Sequence, residues 1–374
     1  MKRVAYFFSV FVGLVFIFSG FVKGVDPLGT AFRIEDYLAA FGFDWLQPAA
    51  LFLSVALCVF ELSLGIFLVL RVYPVMSSWA LLLIMSFFTI LTLNDAINKP
   101  VADCGCFGDA IKLTHLQTFL KNVVLMVPTI IIFIYRRKIT PWFGKQGQLA
   151  VMLSIPLVFT AFTVYNYRNL PMIDFLQWKV GQQMMPPREL PVEFYLTYRN
   201  IITGEVKEFL SPHFPFDDPD WLNEWHFVSQ RVVDPNPPPP HGLAIFDGYL
   251  NNLTEHFIAN PEYQFLLVVW DAETANVEAL KEMNSFFQQT ETDGHSFIAI
   301  AASPTDLDLL QQKVSPFYEI YIADDVELKM MVRSNPGLIL MKDGIVIEKW
   351  SHHRFPEYEE VAAKFLNPDV NATP

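Results

Sequence analysis

The chain has 374 residues, of which 52% are apolar and only 17% are charged, and its mean hydropathy is +0.31. Charge this sparse excludes an ordinary water-soluble protein of this size. Residues 1–166 hold 12 Lys and Arg against 8 Asp and Glu, whereas residues 167–374 hold 14 against 31, so the net charges are +4 and −17. The acidic second half excludes nucleic acid as a partner, because it would repel phosphates, and it indicates a solvated region.

Five apolar stretches in the first half each reach the roughly 20 residues that a helix needs to cross a bilayer. Helices are expected because lipid cannot satisfy the open backbone groups of an isolated strand. The first stretch could instead be a cleaved signal peptide, but its apolar run is too long and no cleavage site follows it. The predicted spans are residues 4–25, 48–70, 74–94, 116–135 and 148–166.

Basic residues cluster on one side of these spans, which predicts the orientation of the chain. Lys2, Arg3, Arg71 and the group from Arg136 to Lys145 share that side, and their segments hold no Asp or Glu. By the positive-inside rule this side is the cytoplasm. An odd number of spans then places the second half on the opposite side of the membrane. We expect the protein in the inner membrane of a bacterium, in contact with lipid, with its second half in the periplasm.

The sequence beyond the fifth span indicates two further regions. A region with alternating segments is followed by a run of prolines at 235–242, which ends any regular element and favours a stiff linker or turn over an SH3-type ligand. Strands and helices then alternate, which predicts an α/β sheet domain ending in a hairpin with its turn at Lys342-Asp343-Gly344. Single strands are predicted at 263–271, 296–303 and 317–324, and the two-stranded hairpin at 337–350. The predicted helices lie at 275–290, 304–314 and 325–333.

The sharpest chemical feature is Cys104-Gly105-Cys106 in the second outer loop. A disulfide between cysteines one residue apart closes a small strained ring, and strained disulfides are readily reduced. The pair is therefore a candidate for thiol–disulfide exchange, although Asp103 and Asp109 would oppose a thiolate. The alternatives are a structural disulfide, two reduced packing cysteines, and a metal site with His115, for which no fourth ligand is evident nearby.

Two residues inside the second span are candidate auxiliary groups. Cys58 is either a small buried apolar side chain or a third, resolving thiol. Glu61 is costly in a span, so it either pairs with a base such as Lys121 or Lys23, or acts as a proton site beside a quinone-like acceptor. His352 and His353 are adjacent and favour a solvated turn over a metal site. No metal site is predicted.

The first half resembles the DoxX-like family, and more closely its MauE branch, over residues 5–135. The likeness rests on FSGFVKGVDPLGTAFRIEDYLAAFG (18–42), FELSLG with Glu61 and Gly65, and DCGCFGDAIKLTHLQTFLKNVVLM (103–126). MauE-like proteins are implicated in disulfide formation during maturation of methylamine dehydrogenase, and they are compared with quinone-linked four-helix thiol oxidoreductases. The resemblance implies a redox role for Cys104 and Cys106. The chain departs from those oxidoreductases in lacking a C-x-x-C and a second cysteine pair.

The segment 260–366 resembles a thioredoxin fold. The likeness rests on the strand LLVVWDAE and on Ser334-Asn335-Pro336-Gly337-Leu338 before the hairpin, where Pro336 matches the family's cis-proline. The position of the active-site turn holds Glu273, Thr274, Ala275 and Asn276, with no cysteine. The resemblance therefore implies a redox-inactive domain that binds a partner along its Pro336 face.

These observations predict a membrane all-α bundle followed by an α/β thioredoxin-like domain. The expected divisions are a four-helix core at 1–140, a fifth span at 146–168, a linker region at 169–259 and the α/β domain at 260–374. The leading hypothesis is an outward-facing thiol–disulfide protein with catalytic Cys104 and Cys106, a protein or thiol partner, and a quinone as candidate acceptor. The alternative is a non-enzymatic envelope scaffold with a structural disulfide, and a transporter has only Glu61 in its favour.

Overall fold

The structure, a computed structural model, describes residues 2–101, 103–186 and 190–366, so the last part of the expected α/β domain, 367–374, lies outside the described residues. The first half is all α-helical. Short 3₁₀ turns at Asp44–Ala49 and Arg136–Lys138 extend two of its helices. The helices are α1 (Lys2–Val25), α2 (Pro27–Ala40), α3 (Ala50–Leu70), α4 (Pro74–Asn98), α5 (His115–Tyr135) and α6 (Lys145–Asn169).

Five of these helical segments are long and apolar enough to cross a membrane, which confirms the predicted number of spans. They cover Arg3–Val25, Asp44–Leu70, Pro74–Asn98, His115–Lys138 and Lys145–Asn169. Local sequence signals set several of their starts. Pro74 stands in the first turn of α4, and Thr114 forms a capping box with Gln117 at the start of α5.

The sequence analysis does not predict helix α2, because its residues fall in the outer loop between the predicted spans 4–25 and 48–70. Asp26 accepts a hydrogen bond from the backbone N–H of Gly29 at 2.9 Å, and Pro27 occupies the first helical position. This pair is an ordinary helix-start signal. At 14 residues, α2 is too short to cross a bilayer.

Glycines bring α1 and α3 into backbone contact. A Cβ atom on Gly20 would lie 2.5 Å from the backbone nitrogen of Leu62, and one on Gly65 would lie 2.6 Å from the carbonyl oxygen of Gly13. Only residues without a side chain allow this approach. The close approach sets the part of α1 that carries Ser19 and Lys23 against Glu61 on α3.

The second half holds two sheets. The first is antiparallel, with the order β2-β1-β3. Its register shifts between Thr197 and Tyr198 in the pairing of β1 with β3. Its elements are β1 (Glu193–Asn200), β2 (Val206–Leu210), α7 (Pro219–Glu224) and β3 (Trp225–Val233), after which the proline run begins.

The second sheet confirms the predicted α/β class and has the order β6-β5-β4-β7-β8. The first three strands of this order run parallel, and β7 is antiparallel to both β4 and β8. The predicted hairpin turn lies between β7 and β8. The elements are α8 (Thr254–Ile258), β4 (Gln264–Val269), α9 (Val277–Thr292), β5 (Ser296–Ala301), α10 (Pro304–Val314), β6 (Ile320–Ile322), α11 (Asp325–Met331), β7 (Gly337–Lys342), β8 (Ile345–Ser351) and α12 (Tyr358–Val361).

Alternate side chains of the buried strand β4 contribute to two apolar clusters, one on each face of the sheet. Phe265 and Leu267 contribute to one cluster, and Leu266 and Val268 to the other. The second cluster also contains seven buried side chains from the stretch expected to be a linker, 169–259. These are Trp178, Met184, Met185, Leu243, Ile245, Phe257 and Ile258. Parts of that stretch therefore share the core of the α/β sheet.

Candidate functional site

The two cysteines lie close together in the loop between α4 and α5, which we call the cysteine loop (residues 103–109). Both are free thiols, and their Sγ atoms are 3.3 Å apart. Gly105 between them has φ +58°, and a Cβ atom there would overlap the side chain of Arg33. The Cys104 sulfur also lies 3.4 Å from the hydroxyl oxygen of Thr118, in the first turn of α5. The loop geometry thus brings together the two predicted reactive residues.

Arginines neutralise the acidic residues that flank the cysteines. Arg33 on α2 donates to Asp103 at 2.9 Å and to Asp109 at 2.8 Å, and Arg333 donates to Asp109 at 3.0 Å. Burial by itself raises the pKa of Asp109, but the charge of Arg33 outweighs it and holds that pKa below its usual value. The Asp109 carboxylate therefore stays ionised beside a positive charge.

The two thiols have different proton affinities. The hydrogen bond between the two cysteines lowers the pKa of Cys104 to about 6, against the opposing effect of burial, and the contact with the Thr118 hydroxyl lowers it further. The same interaction with Cys104, together with burial, raises the pKa of Cys106. The expectation that Asp103 and Asp109 would suppress the thiolate is wrong, because Arg33 and Arg333 take up their charge. Cys104 is the thiolate at neutral pH and Cys106 is the thiol.

A cavity of about 380 Å³ lies beneath the cysteine loop, between α1, α2, α3, α4 and α5. Both cysteines line it, and so do Glu61 and the cationic side chains Lys23, Arg33 and Lys121. Most other lining side chains are apolar or aromatic. These include Phe16, Ile34, Leu38, Phe41, Phe43, Leu57, Met85, Phe87, Phe88, Leu91, Phe107 and Leu125.

Glu61 is paired inside this cavity wall. Lys23 donates to its two carboxylate oxygens at 2.7 and 2.9 Å, and both side chains are almost fully buried. The Ser19 hydroxyl lies 2.8 Å from Glu61 and 2.8 Å from the carbonyl oxygen of Cys106. Of the two bases expected as partners, the structure selects Lys23. Ser19 also connects this pair to the cysteine loop. The role of Glu61 as a proton site stays a prediction.

Cys58 lies apart from the other two cysteines in its packing. Its side chain is fully buried in α3, in a small cluster with Leu62 and Phe159, and it is not among the residues that line the cavity. A role for Cys58 as a third thiol stays a prediction.

The α/β sheet contributes a second cavity, of about 430 Å³, at the loop before β7. The Asn335–Pro336 peptide bond is cis, as the sequence predicts. Asn335 lines the cavity together with Trp270, Asn276, His352 and His353, and Leu28 and Tyr167 of the helical half complete it. The His352 ring nitrogen Nδ1 lies 2.9 Å from the Ser334 hydroxyl, and burial lowers the pKa of His352 to about 4.

The candidate metal ligands are not brought together. The His115 ring nitrogen Nε2 lies 3.0 Å from the carbonyl oxygen of Val101. Within the described ranges, no group of three His, Cys, Asp or Glu side chains is arranged to hold a metal ion.

The sequence interpretation missed three contributors to the site. Arg33 and Thr118 act on the cysteine loop from helices, and Arg333 acts on it from the α/β sheet. The sequence offers only a weak signal for Arg33, which lies between the first two predicted spans. Nothing local marks Arg333, because its partners lie more than two hundred residues earlier in the chain.

Comparison with known proteins agrees with the helical half of this description. No curated protein and no solved structure matches the chain. A match to a family is found in the first part of the chain, where it includes the cysteine loop, the Lys23–Glu61 pair and all of α5. Residues 1–135 match the family model of the methylamine utilisation protein MauE, which confirms the predicted resemblance to MauE over that range.

Proposed function

We propose that the protein is a membrane-anchored thiol–disulfide oxidoreductase in which Cys104 and Cys106 form the reactive pair. The observation that carries this proposal is the contact of a low-pKa and a high-pKa thiol, 3.3 Å apart, in the wall of an apolar cavity. A thiolate beside a thiol is the reduced form of an exchange-active pair. A purely structural disulfide requires neither the cavity nor the thiolate.

The exchange step moves two electrons from a partner to the cysteine pair. A partner thiolate attacks the Cys106 sulfur of the oxidised pair, the S–S bond breaks, and Cys104 leaves as a thiolate. Cys104 is the better leaving group because its pKa is the lower of the two. A second partner thiol then loses its proton, displaces Cys106 and completes the partner's own disulfide.

A lipid-soluble two-electron acceptor of the quinone class would reoxidise the pair from within the cavity. Its volume and its largely apolar lining are typical of sites for small organic molecules. Phe41, Phe43 and Phe87 line it, yet their side chains are 45%, 48% and 57% exposed. Phe87 lies in a membrane-length helix, so the cavity wall extends to a surface that faces lipid.

The α/β sheet would serve as a thioredoxin-like binding domain over 260–374. Support comes from the strand order, from the cis-proline Pro336 before β7, and from the cavity beside it. The turn from Glu273 to Asn276 has no cysteine, so this domain would bind a protein partner without exchanging electrons. The four-helix core at 1–140, the fifth span at 146–168 and the region at 169–259, parts of which pack into the core of the sheet, would complete the chain.

The orientation belongs to the same proposal. The cysteine loop and the α/β domain would lie in the periplasm, with the N-terminus in the cytoplasm of a bacterium and the five helices in the inner membrane. Support comes from the odd number of membrane-length helices and from the basic segments that alternate with the cysteine side. The periplasm is a compartment in which disulfides persist.

Differential thiol alkylation tests the redox function. Membranes that contain the full chain are equilibrated in graded buffers of reduced and oxidised glutathione, and the oxidised fraction of the Cys104–Cys106 pair is measured by mass spectrometry. Cys58→Ser serves as the matched control for the third cysteine. We expect a reversible transition at a potential above those of structural disulfides, which lie below about −300 mV. A pair that does not titrate would contradict the proposal and favour the scaffold.

A further inference from the structure

Of the cations that line the cavity, Lys121 is the one that has no carboxylate partner among the described residues. It lies on α5, and its ammonium nitrogen is 4.5 Å from the centroid of the Phe107 ring. The other two cavity-lining cations, Lys23 and Arg33, each pair with buried or half-buried carboxylates. Among the residues that the structure describes, no Asp or Glu lies within ion-pairing distance of Lys121.

A lysine in this position is costly for the fold. α5 lies within a membrane-length segment, and a cation there is normally paired or faces a functional cavity. The aromatic face of Phe107 recovers only part of this cost. The nearby charge that Lys121 can stabilise is the Cys104 thiolate of the reduced pair, whose ionisation it favours. In the disulfide form of the pair this anion is gone, and Lys121 is left facing the cavity.

We propose that Lys121 binds a carbonyl oxygen of the lipid-soluble acceptor and gives it a proton as the acceptor is reduced. This inference rests on the proposed function, because it names the residue that holds the oxidant of the cysteine pair. Lys121 suits this role by position, since it lines the same cavity as both sulfurs. A cation also favours the oxygen on which negative charge develops.

The step balances with the groups present and one quinone. The Cys104 thiolate and the Cys106 thiol form the S–S bond and give up two electrons. The Cys106 S–H bond and one N–H bond of Lys121 break, and their two protons form the two O–H bonds of the hydroquinone. Lys121 then regains a proton from the outer solvent, where the proton of Cys104 was released earlier.

The test follows oxidation of the reduced pair by decylubiquinone without oxygen, in the full chain reconstituted in lipid nanodiscs. Lys121→Met removes the charge, and Lys121→Arg keeps it but gives up a proton far less readily. Lys112→Met is the matched control, because Lys112 is an exposed lysine in the segment between the cysteine loop and α5. We expect Lys121→Met to raise KM for decylubiquinone about tenfold, since a hydrogen bond to a charged group is worth about that factor. Lys121→Arg should keep KM near that of the unmodified protein and lower kcat.

The outcomes separate this inference from the proposed function. If the unmodified protein and Lys121→Met share one KM and one kcat, the role of Lys121 is overturned while the redox function stands. If decylubiquinone oxidises none of the proteins although the pair titrates in glutathione buffers, both the quinone-class acceptor and the role of Lys121 are overturned. Should Lys121→Met not accumulate, an unchanged kcat in Lys121→Arg would overturn the proton-donating role.

Discussion

Arg333 of the α/β sheet donates a hydrogen bond to Asp109 of the cysteine loop, with 3.0 Å between Nη2 and Oδ2. It also donates to Asp26 at the start of α2, at 2.8 Å. All three side chains are at most 10% exposed. Arg333 stands three residues before Pro336, so the loop that shapes the second cavity is tied directly to the loop that carries the cysteines.

Removing this arginine should loosen the link between the two halves. Arg333→Met leaves Asp26 buried without its cation and Asp109 with Arg33 alone. Because an unpaired buried charge is strongly destabilising, we expect a loss of about 3 kcal/mol in the free energy of unfolding. The measurement is chemical denaturation in detergent micelles, followed by tryptophan fluorescence.

The control is Arg231→Met, which removes an arginine whose ion pair with Glu208 is exposed. Its stability should stay close to that of the unmodified protein, because exposed ion pairs contribute little. Equal losses in the two variants would show that the Arg333 network does not hold the halves together.

The reactivity of Cys104 should depend on pH with a midpoint near 6. Below that pH its thiol is protonated and reacts slowly with iodoacetamide, whereas above it the thiolate dominates. In a Cys58→Ser background, Cys106→Ala should move the midpoint upward, because the hydrogen bond with Cys106 is the main cause of the low pKa. Cys106→Ser keeps a donor and should retain part of the shift. A midpoint near the usual thiol value of 9.0 in every protein would contradict the assignment.

Gly105 should tolerate no side chain. Gly105→Ala would force a Cβ atom into Arg33 at a residue with φ +58°. We expect displacement of Arg33 from Asp103 and Asp109, and a sharp drop in the yield of the Cys104–Cys106 disulfide under mild oxidation. Mass spectrometry of alkylated protein measures that yield.

Gly42→Ala is the matched control for Gly105→Ala. Gly42 also has a positive φ, +74°, but a Cβ atom there would meet nothing within 4 Å. Its cost should be limited to backbone strain of about 1 kcal/mol, with a normal disulfide yield. If both variants form the disulfide equally well, contact with Arg33 does not shape the cysteine loop.

Local patterns account for the parts of the fold that the sequence predicted. The five spans, the α/β alternation, the hairpin turn and the cysteine loop each depend on neighbouring residues. The site depends on contacts that are remote in sequence, since Arg33 and Asp103 are 70 residues apart and Arg333 and Asp109 are 224 apart. The expectation that Asp103 and Asp109 suppress the thiolate therefore failed, because local sequence does not reveal the arginines that pair with them. The sequence predicts two lysines as candidate partners of Glu61. Only the close packing of α1 against α3 at Gly20 decides between them.

The buried pair of Lys23 and Glu61 should behave as one unit. Lys23→Met leaves the Glu61 carboxylate without its cation, and Glu61→Gln leaves the Lys23 ammonium without its anion. Each single substitution should cost about 3 kcal/mol in the free energy of unfolding, because one charge stays buried and unpaired. The double variant removes both charges, so it should lose much less than the sum of the two. A cycle on Lys207 and Glu205, an exposed ion pair of the three-stranded sheet region, provides the control and should show no coupling. Additive losses at Lys23 and Glu61 would mean that the two side chains are stabilised separately, which would contradict the 2.7 Å contact as the reason for their burial.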